Sequence, residues 1–231
     1  MSDYTAIYDP DTDFDARYTR ATARRIATYV RPGDRVLEPG CATGLMTAEL
    51  AAAGAQVVAL DRSAPYLERL AARGLAAVDA RLADLDADPL PAGPFDHVVA
   101  TNLLHELADP GAFLARTAAV LAPHGLVHVS VPNPASLHRL VALDMGWIDD
   151  LEAISERGSQ FATRRMLGVE DVRVLAAGAG LRVVHKEGVV CKPLPNAQMA
   201  ELPEAVLEGL ERVAHRVPDL CAMSLFTLHH A

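Results

Sequence analysis

The chain has 231 residues, 51% of them apolar, which is enough for one domain with a substantial core. A formal charge of −9 argues against a broad nucleic-acid surface and against anionic membranes, because both need clustered Lys and Arg. Three cysteines, Cys41, Cys191 and Cys221, lie too far apart for zinc spacing or a disulfide framework and fit buried thiols in a reducing cytoplasm.

Residues 1–15 read as a mobile arm whose Asp3, Asp9, Asp11, Asp13 and Asp15 carry the wrong charge for a signal peptide, so a soluble, cytoplasmic protein is expected. From Ala16 to Val30 the apolar positions Tyr18, Ala21, Ile26 and Tyr29 predict an amphipathic helix. The turn signal Pro32-Gly33 leads into a buried strand, Asp34 to Glu38. The run Glu38-Pro39-Gly40-Cys41-Ala42-Thr43-Gly44 then turns into a helix over Leu45, Met46 and Leu50, closed by Gly54. At such a turn glycine lets the backbone approach a ligand, and free helix N–H groups face the cleft.

Charge decides which ligand fits. A dinucleotide fingerprint counted from Gly40 fails, with Ala42 and Leu45 at the second and third glycine positions. Glu38 also puts a carboxylate where phosphates would sit. It suits a cationic ligand without phosphate, as S-adenosylmethionine is. The run resembles motif I of the class I, Rossmann-like S-adenosylmethionine-dependent methyltransferases in an E-x-G-x-A-x-G variant, with Pro39 and Ala42 departing from the commonest form. The resemblance implies a seven-stranded, mostly parallel α/β sheet with an antiparallel last strand. In such enzymes a leading helix lies over the cofactor, so Arg17, Tyr18 or Arg20 would face the methionine carboxylate unless the helix is merely a solvated surface element.

Gln56 to Leu60 predicts a second strand ending at Asp61, one βαβ unit after Gly40, which puts that carboxylate on the cofactor ribose, followed by Arg62. Ser63 caps a helix that Gly74 stops. A third strand, Leu75 to Ala80, leads to Asp84, which the resemblance assigns to the adenine amino group between Ala83 and Leu85; Asp86 and Asp88 compete for that role. A fourth strand, Phe95 to Ala100, ends at Thr101 and Asn102, whose backbone would meet the methionine part. The resemblance thus carries cofactor binding onto Tyr18, Glu38, Gly40, Cys41, Ala42, Gly44, Asp61, Arg62, Ala83, Asp84, Leu85, Thr101 and Asn102.

His105 follows where the reacting methyl should emerge. With an ordinary pKa near 6.5 it would suit a general base, although a lone histidine is more often structural. Asp109-Pro110 starts a helix to about Ala122, and Pro123-His124-Gly125 turns into a fifth strand, Leu126 to Val131, with the phrasing usual in the family. The resemblance covers about residues 30–132.

Residues 132–168 are too long for a plain connection and hold Leu137, Leu140, Val141, Leu143, Met145, Trp147, Ile148 and Phe161, enough for one or two helices of an acceptor cap. His138 in this cap is the substitute base; Arg139 and Asp144 add polar groups. A helix over Val169–Ala177, a strand over Leu181–Cys191, a helix over Pro203–Arg216 and a final strand over Met223–His229 complete a single domain spanning 1–231. Val190 to Asn196 and the Pro-Asn before the cap resemble UbiG-like small-molecule methyltransferases, including some near sugar and natural-product pathways.

The expected function is methyl transfer from S-adenosylmethionine, leaving S-adenosylhomocysteine, to O or N of a small metabolite. Positioning and a base would supply the rate, and no metal is expected. The alternatives are a catalytically silent cofactor-binding partner subunit, an RNA methyltransferase, which the acidity disfavours, and a nicotinamide oxidoreductase, which Glu38 disfavours. Dimers are common among such enzymes, but nothing in the sequence specifies a homodimer interface.

Overall fold

The computed structural model of the chain describes residues 8–160 and 163–231. Phe161 and Asp3 lie outside the described residues. Seven strands form one sheet: β1 (Arg35–Pro39), β2 (Gln56–Asp61), β3 (Val78–Leu82), β4 (Phe95–Thr101), β5 (Leu121–Pro132), β6 (Leu181–Cys191) and β7 (Cys221–His230). Their order is β3-β2-β1-β4-β5-β7-β6. Pairing from β3 across to β5 is parallel, while β7 runs antiparallel to both β5 and β6. Strand order reverses between β1 and β4, the switch point where α/β sheets open a crevice at the carboxyl ends of their strands.

The inner parallel strands are mostly apolar because helices cover both sheet faces, and successive side chains alternate between them. On one face Leu37, Val98, Val129 and Phe226 pack with Phe113 and Leu114 of α4 (Pro110–Val120) and Val172 and Ala176 of α7 (Val169–Gly178). On the other, Val36, Val57, Ala59, Val99 and Leu225 meet Ala21, Ala23 and Ile26 of α1 (Asp15–Ala27), Met46 and Leu50 of α2 (Leu45–Ala52) and Leu70 of α3 (Ala64–Ala72). Helix starts follow side-chain chemistry: Ser63 Oγ accepts from Tyr66 N at 3.4 Å and Asp109 Oδ1 from Ala112 N at 2.9 Å, each with a proline in the first turn.

Several boundaries differ from the sequence expectation. The third strand lies at Val78–Leu82 rather than Leu75–Ala80, because register is set by β2, where Val57 faces Val78. As an edge strand it is largely exposed and carries no apolar signal. The fifth strand begins at Leu121, which pairs with Phe95 before an irregularity resumes the ladder at His97 and Leu126. The last α-helical stretch, α9 (Glu204–Val213), is shorter than expected and continues as a 3₁₀ turn over Ala214–Arg216.

The acidic arm is not loose over residues 8–14. Asp9 and Asp11 accept from Arg69 at 2.6 Å each, Asp11 also from Arg73 at 2.6 Å, and Tyr66 Oη donates to Tyr8 O at 3.0 Å. The aspartates that look like solvated charge in sequence therefore clamp the segment onto α3, beside the glycine turn.

The inserted region forms α5 (Leu137–Asp144) and the short α6 (Glu156–Gln160). Its ends belong to the body of the fold. Pro132 pairs with Met223 in the sheet, Asn133 Nδ2 donates to Asp219 O and Cys221 O at 2.8 and 2.9 Å, and Leu167 is buried in the main core. After β6 comes the one-turn α8 (Asn196–Met199).

Candidate active site

The carboxyl ends of β1, β2 and β4 and the inserted helices enclose a cavity of about 540 Å³. That lies within the range of small-molecule sites. Of the residues expected to bind cofactor or act on the acceptor, all but Gly44 line it. Gly44 has φ +86°, and a Cβ there would come within 2.3 Å of Leu70 Cδ1. It is glycine because α3 packs against the turn, and it stands behind the cavity wall.

Glu38 sits in the cavity wall only 2% exposed, and its Oε2 has no hydrogen-bond partner. Burial pushes its carboxyl up to about 8, and the Asp61 charge adds to this. At the turn, Gly40 N and Cys41 N both donate to Leu60 O, at 2.7 and 3.0 Å. Gly40 has φ +78° and Ala42 φ +46°, so the backbone turns through two left-handed residues, and its amides are taken up within the protein rather than left free toward the cleft. Asp61 braces this turn: Oδ2 accepts from Ala42 N and Oδ1 from Ser63 N, both at 2.8 Å. Burial raises the Asp61 pKa, and those two N–H donors oppose the rise. Burial likewise raises the Cys41 thiol, leaving it an inert part of the wall.

The structure separates the three competing aspartates after β3. Asp84 lines the cavity with Ala83 and Leu85 beside it, and Asp88 lies outside. Asp86 lines it too, but accepts from Ala108 N at 3.0 Å and faces Arg164 at 3.9 Å. At the end of β4, Asn102 adopts φ +53°, and its N–H donates to Ser130 O and Oγ at 3.0 and 3.1 Å.

Of the leading-helix candidates only Tyr18 reaches the cavity, where its hydroxyl donates to Asn196 Oδ1 at 2.9 Å. Arg17 points away and pairs with Glu204 and Glu211 of α9, and Arg20 lines a separate groove. A helix has two usable faces, and α9 takes the arginine face of α1.

His105 is buried on the cavity wall, and its Nδ1 has no partner. Burial pushes its pKa down to about 4, against the ordinary value expected from sequence. His138, on α5, also lines the cavity with an unpartnered Nδ1. Burial and the nearby Lys192 and Arg139 hold it down at about 3. Ile154 and Met166 of the inserted region line the cavity, whereas Trp147 and Met145 are 65% and 54% exposed and are not in its wall. Arg139 lines the cavity while its guanidinium donates to Leu151 O and Ala153 O; Asp144 is not in the wall.

Sequence reasoning missed several lining residues. Tyr8 lies in the arm read as mobile. Arg157 of α6 donates to Asp13 and Asp15 at 2.7 and 2.8 Å, which ties the cap to the start of α1. Lys192, just beyond β6, enters the same cavity with Nζ 5.8 Å from the Tyr18 ring centroid. Its sequence signals were its place in the stretch Val190 to Asn196 and its rarity, since the chain has two lysines, Lys186 and Lys192.

The Asp61 and Asp84 carboxylates in the wall of this crevice at the β1/β4 switch point disfavour a pyrophosphate. The unpartnered Glu38 oxygen and the Asp61 and Asp84 carboxylates instead suit hydroxyl, amino and cationic groups, as S-adenosylmethionine carries. With this strand order and the antiparallel β7, the class is that of the Rossmann-like, S-adenosylmethionine-dependent methyltransferases. A family model described as a methyltransferase domain matches residues 13–186, and the chain belongs to that family.

Among curated proteins it is 38% identical over 104 residues to a ubiquinone biosynthesis O-methyltransferase of Bradyrhizobium sp. (strain ORS 278), a match covering 44% of this chain and 41% of that protein. It is 38% identical over 127 residues to nocamycin O-methyltransferase of Saccharothrix syringae, covering 51% and 45%. The matched part of the chain thus spans about half the length of these curated relatives. Among solved structures it resembles Burkholderia thailandensis 1,6-didemethyltoxoflavin-N1-methyltransferase with bound 1,6-didemethyltoxoflavin and S-adenosylhomocysteine, at TM-score 0.65 and 21% identity over 99% of this chain and 84% of that one. At that identity the likeness concerns the fold.

Proposed function

We propose that this protein transfers a methyl group from S-adenosylmethionine to an oxygen of a small-molecule acceptor. The observation that carries the reading is that one cavity brings together the carboxyl groups of Glu38, Asp61 and Asp84 with His105, His138 and Lys192. Oxygen is favoured over nitrogen because the two curated relatives are named O-methyltransferases.

In this reading Asp61 receives the ribose hydroxyls while its backbone donors hold it in place. Glu38 takes a hydrogen-bond donor of the methionine part, which its unpartnered oxygen otherwise lacks. Asp84 takes the adenine amino group, with Leu85 and Ala83 against the ring. S-adenosylmethionine, when bound, supplies a methyl already activated by a sulfonium. The protein's task is then to exclude water and orient the acceptor oxygen. The region from His138 to Met166 forms the acceptor cap, and the Arg157 bridges to Asp13 and Asp15 hold it closed. His105 meets the acceptor as a neutral imidazole, and His138 faces it from the cap; burial leaves each a relay for a proton rather than its resting place.

Calorimetry with S-adenosylmethionine and with NAD tests the first half of this reading. Binding of the former alone is expected, and no binding would end it. Release of S-adenosylhomocysteine from a panel of phenols, enols, sugars and amines tests the second half. A silent binding subunit would bind the cofactor and release nothing.

A further inference from the structure

Lys192 is the unexplained charge of the cavity. It lies just past the carboxyl end of β6, its backbone carbonyl accepts from His138 N at 3.1 Å, and its side chain runs into the cleft beside Tyr18. Val190, two residues earlier, has φ +58°, a conformation a β-branched residue rarely adopts, so the chain bends sharply before the lysine. Two other cations of the cavity wall are committed: Arg139 to two backbone carbonyls and Arg157 to Asp13 and Asp15. No carboxylate lies within ion-pairing distance of Lys192 Nζ among the described residues. The nearest acid influence is Asp15, whose two oxygens already accept from Asn196 and Arg157. A mostly buried ammonium held near an aromatic face with no counter-ion is costly unless a ligand supplies one.

We propose that Lys192 is the acceptor-binding residue that holds the substrate hydroxyl as its oxyanion, so that the acceptor is an acidic hydroxyl of the phenol or enol class. The inference rests on the methyltransferase reading above and names the acceptor chemistry for that site. The acceptor's proton passes to solvent by way of the neutral imidazoles, Lys192 keeps its own, and the pair formed is ammonium and oxyanion.

Two further observations fit. Burial leaves both imidazoles of the cavity too weakly basic to hold a proton at neutral pH, so lowering the acidity barrier of the acceptor is the more effective device. Burial also pushes Lys192 down to about 8, which leaves it mostly charged at neutral pH and ready to be stabilised by an anion. An alcohol of a sugar would gain little from this arrangement, because one ammonium cannot ionise it at neutral pH.

The test uses para-nitrophenol, which absorbs visible light only as the phenolate, added at mildly acidic pH to the full chain saturated with S-adenosylhomocysteine. The wild-type protein should raise the phenolate absorbance saturably. Lys192→Met should weaken that capture about tenfold to a hundredfold, and Lys192→Arg should retain part of it. S-adenosylhomocysteine affinity should be the same in all three proteins, which also verifies their folding. A wild-type protein that binds S-adenosylhomocysteine but captures no phenolate, or a Lys192→Met protein that captures it equally, would overturn the proposal. Loss of S-adenosylhomocysteine affinity in Lys192→Met would also overturn it, by making Lys192 a ligand of the cofactor carboxylate. A wild-type protein that fails to bind S-adenosylhomocysteine would instead refute the methyltransferase reading.

Discussion

In the proposed reading Asp61 does two jobs with one carboxylate. It accepts the amides of Ala42 and Ser63, and each oxygen keeps a lone pair for a ligand. Hydrogen bonds to charged groups contribute about 1.5–3 kcal/mol, so Asp61→Ala should weaken S-adenosylmethionine binding by about one to two orders of magnitude in calorimetry. It should also lower the melting temperature, because two N–H donors lose their acceptor. A lower melting temperature with unchanged affinity would reduce Asp61 to a brace for the turn. His105 calls for a different measurement. With its pKa near 4, the pH profile of kcat should show no His105 limb near 6.5. His105→Ala should lower kcat by about 10²-fold, the low end of general-base effects, and leave S-adenosylmethionine affinity unchanged. An acid limb at the ordinary histidine value that disappears in the alanine variant would show that the imidazole is solvated in the working enzyme.

Among the elements, the cap is held by few contacts. Helix α5 has no fully buried residue, and α6 is anchored to α1 through Arg157. These pairs are partly exposed, and such pairs are typically worth about 0.2–1 kcal/mol each. Arg157→Ala should therefore raise the acceptor KM by about twofold to tenfold, with a smaller change in cofactor affinity. Steady-state kinetics with each substrate varied in turn checks the split. An equal loss on both sides would mean that the Asp13–Arg157–Asp15 bridge closes the whole cleft. The length to exchange in a cap-swap experiment is also narrower than residues 132–168, because Pro132, Asn133 and Leu167 belong to the sheet and core. Exchange should stay between α5 and α6.

For the molecule as a whole, burial of titratable groups sets the response to pH. His97 of β4 and His128 of β5 lie 3.2 Å apart, with Asp34 at 3.2 Å from the first and Thr227 at 3.4 Å from the second. Burial pushes both down, His128 to about 3, as it does His105 and His138. Folding therefore favours the neutral rings. Their stabilising contribution is complete above about 6.5 and is lost as pH falls from there toward their folded values. Glu38 works oppositely. Its pKa rises from 4.5 to about 8 on folding, so its contribution is complete below 4.5 and is lost as pH rises through about 8. Four histidines outweigh one carboxyl on the acid side, and Glu38 acts alone among these above 6.5. Thermal melts of the ligand-free protein across pH should thus peak near neutrality and fall more steeply toward acid. Bound S-adenosylhomocysteine should flatten the alkaline side if it donates to Glu38. A flat profile between pH 4 and 6.5 would mean that water reaches these rings.

By itself the sequence determined the βαβ rhythm, because apolar runs, prolines and glycines are local signals that act within a few residues. Glu38, Gly40, Asp61 and Asn102 could be placed at strand ends for the same reason, since strand ends follow from hydrophobic pattern, whereas the exposed β3 carries no apolar signal and Asp84 was singled out by the family resemblance. Tertiary structure alone decided what depends on distant partners. It placed Arg17 on Glu204 and Glu211 and turned the acidic arm into a clamp on Arg69 and Arg73. It left Trp147 out of the cavity wall and brought Lys192 into the cavity from beyond the far edge strand. It also set the basicity of His105, since a histidine's pKa depends on how much water the fold leaves around it, and burial is a property of the whole packing.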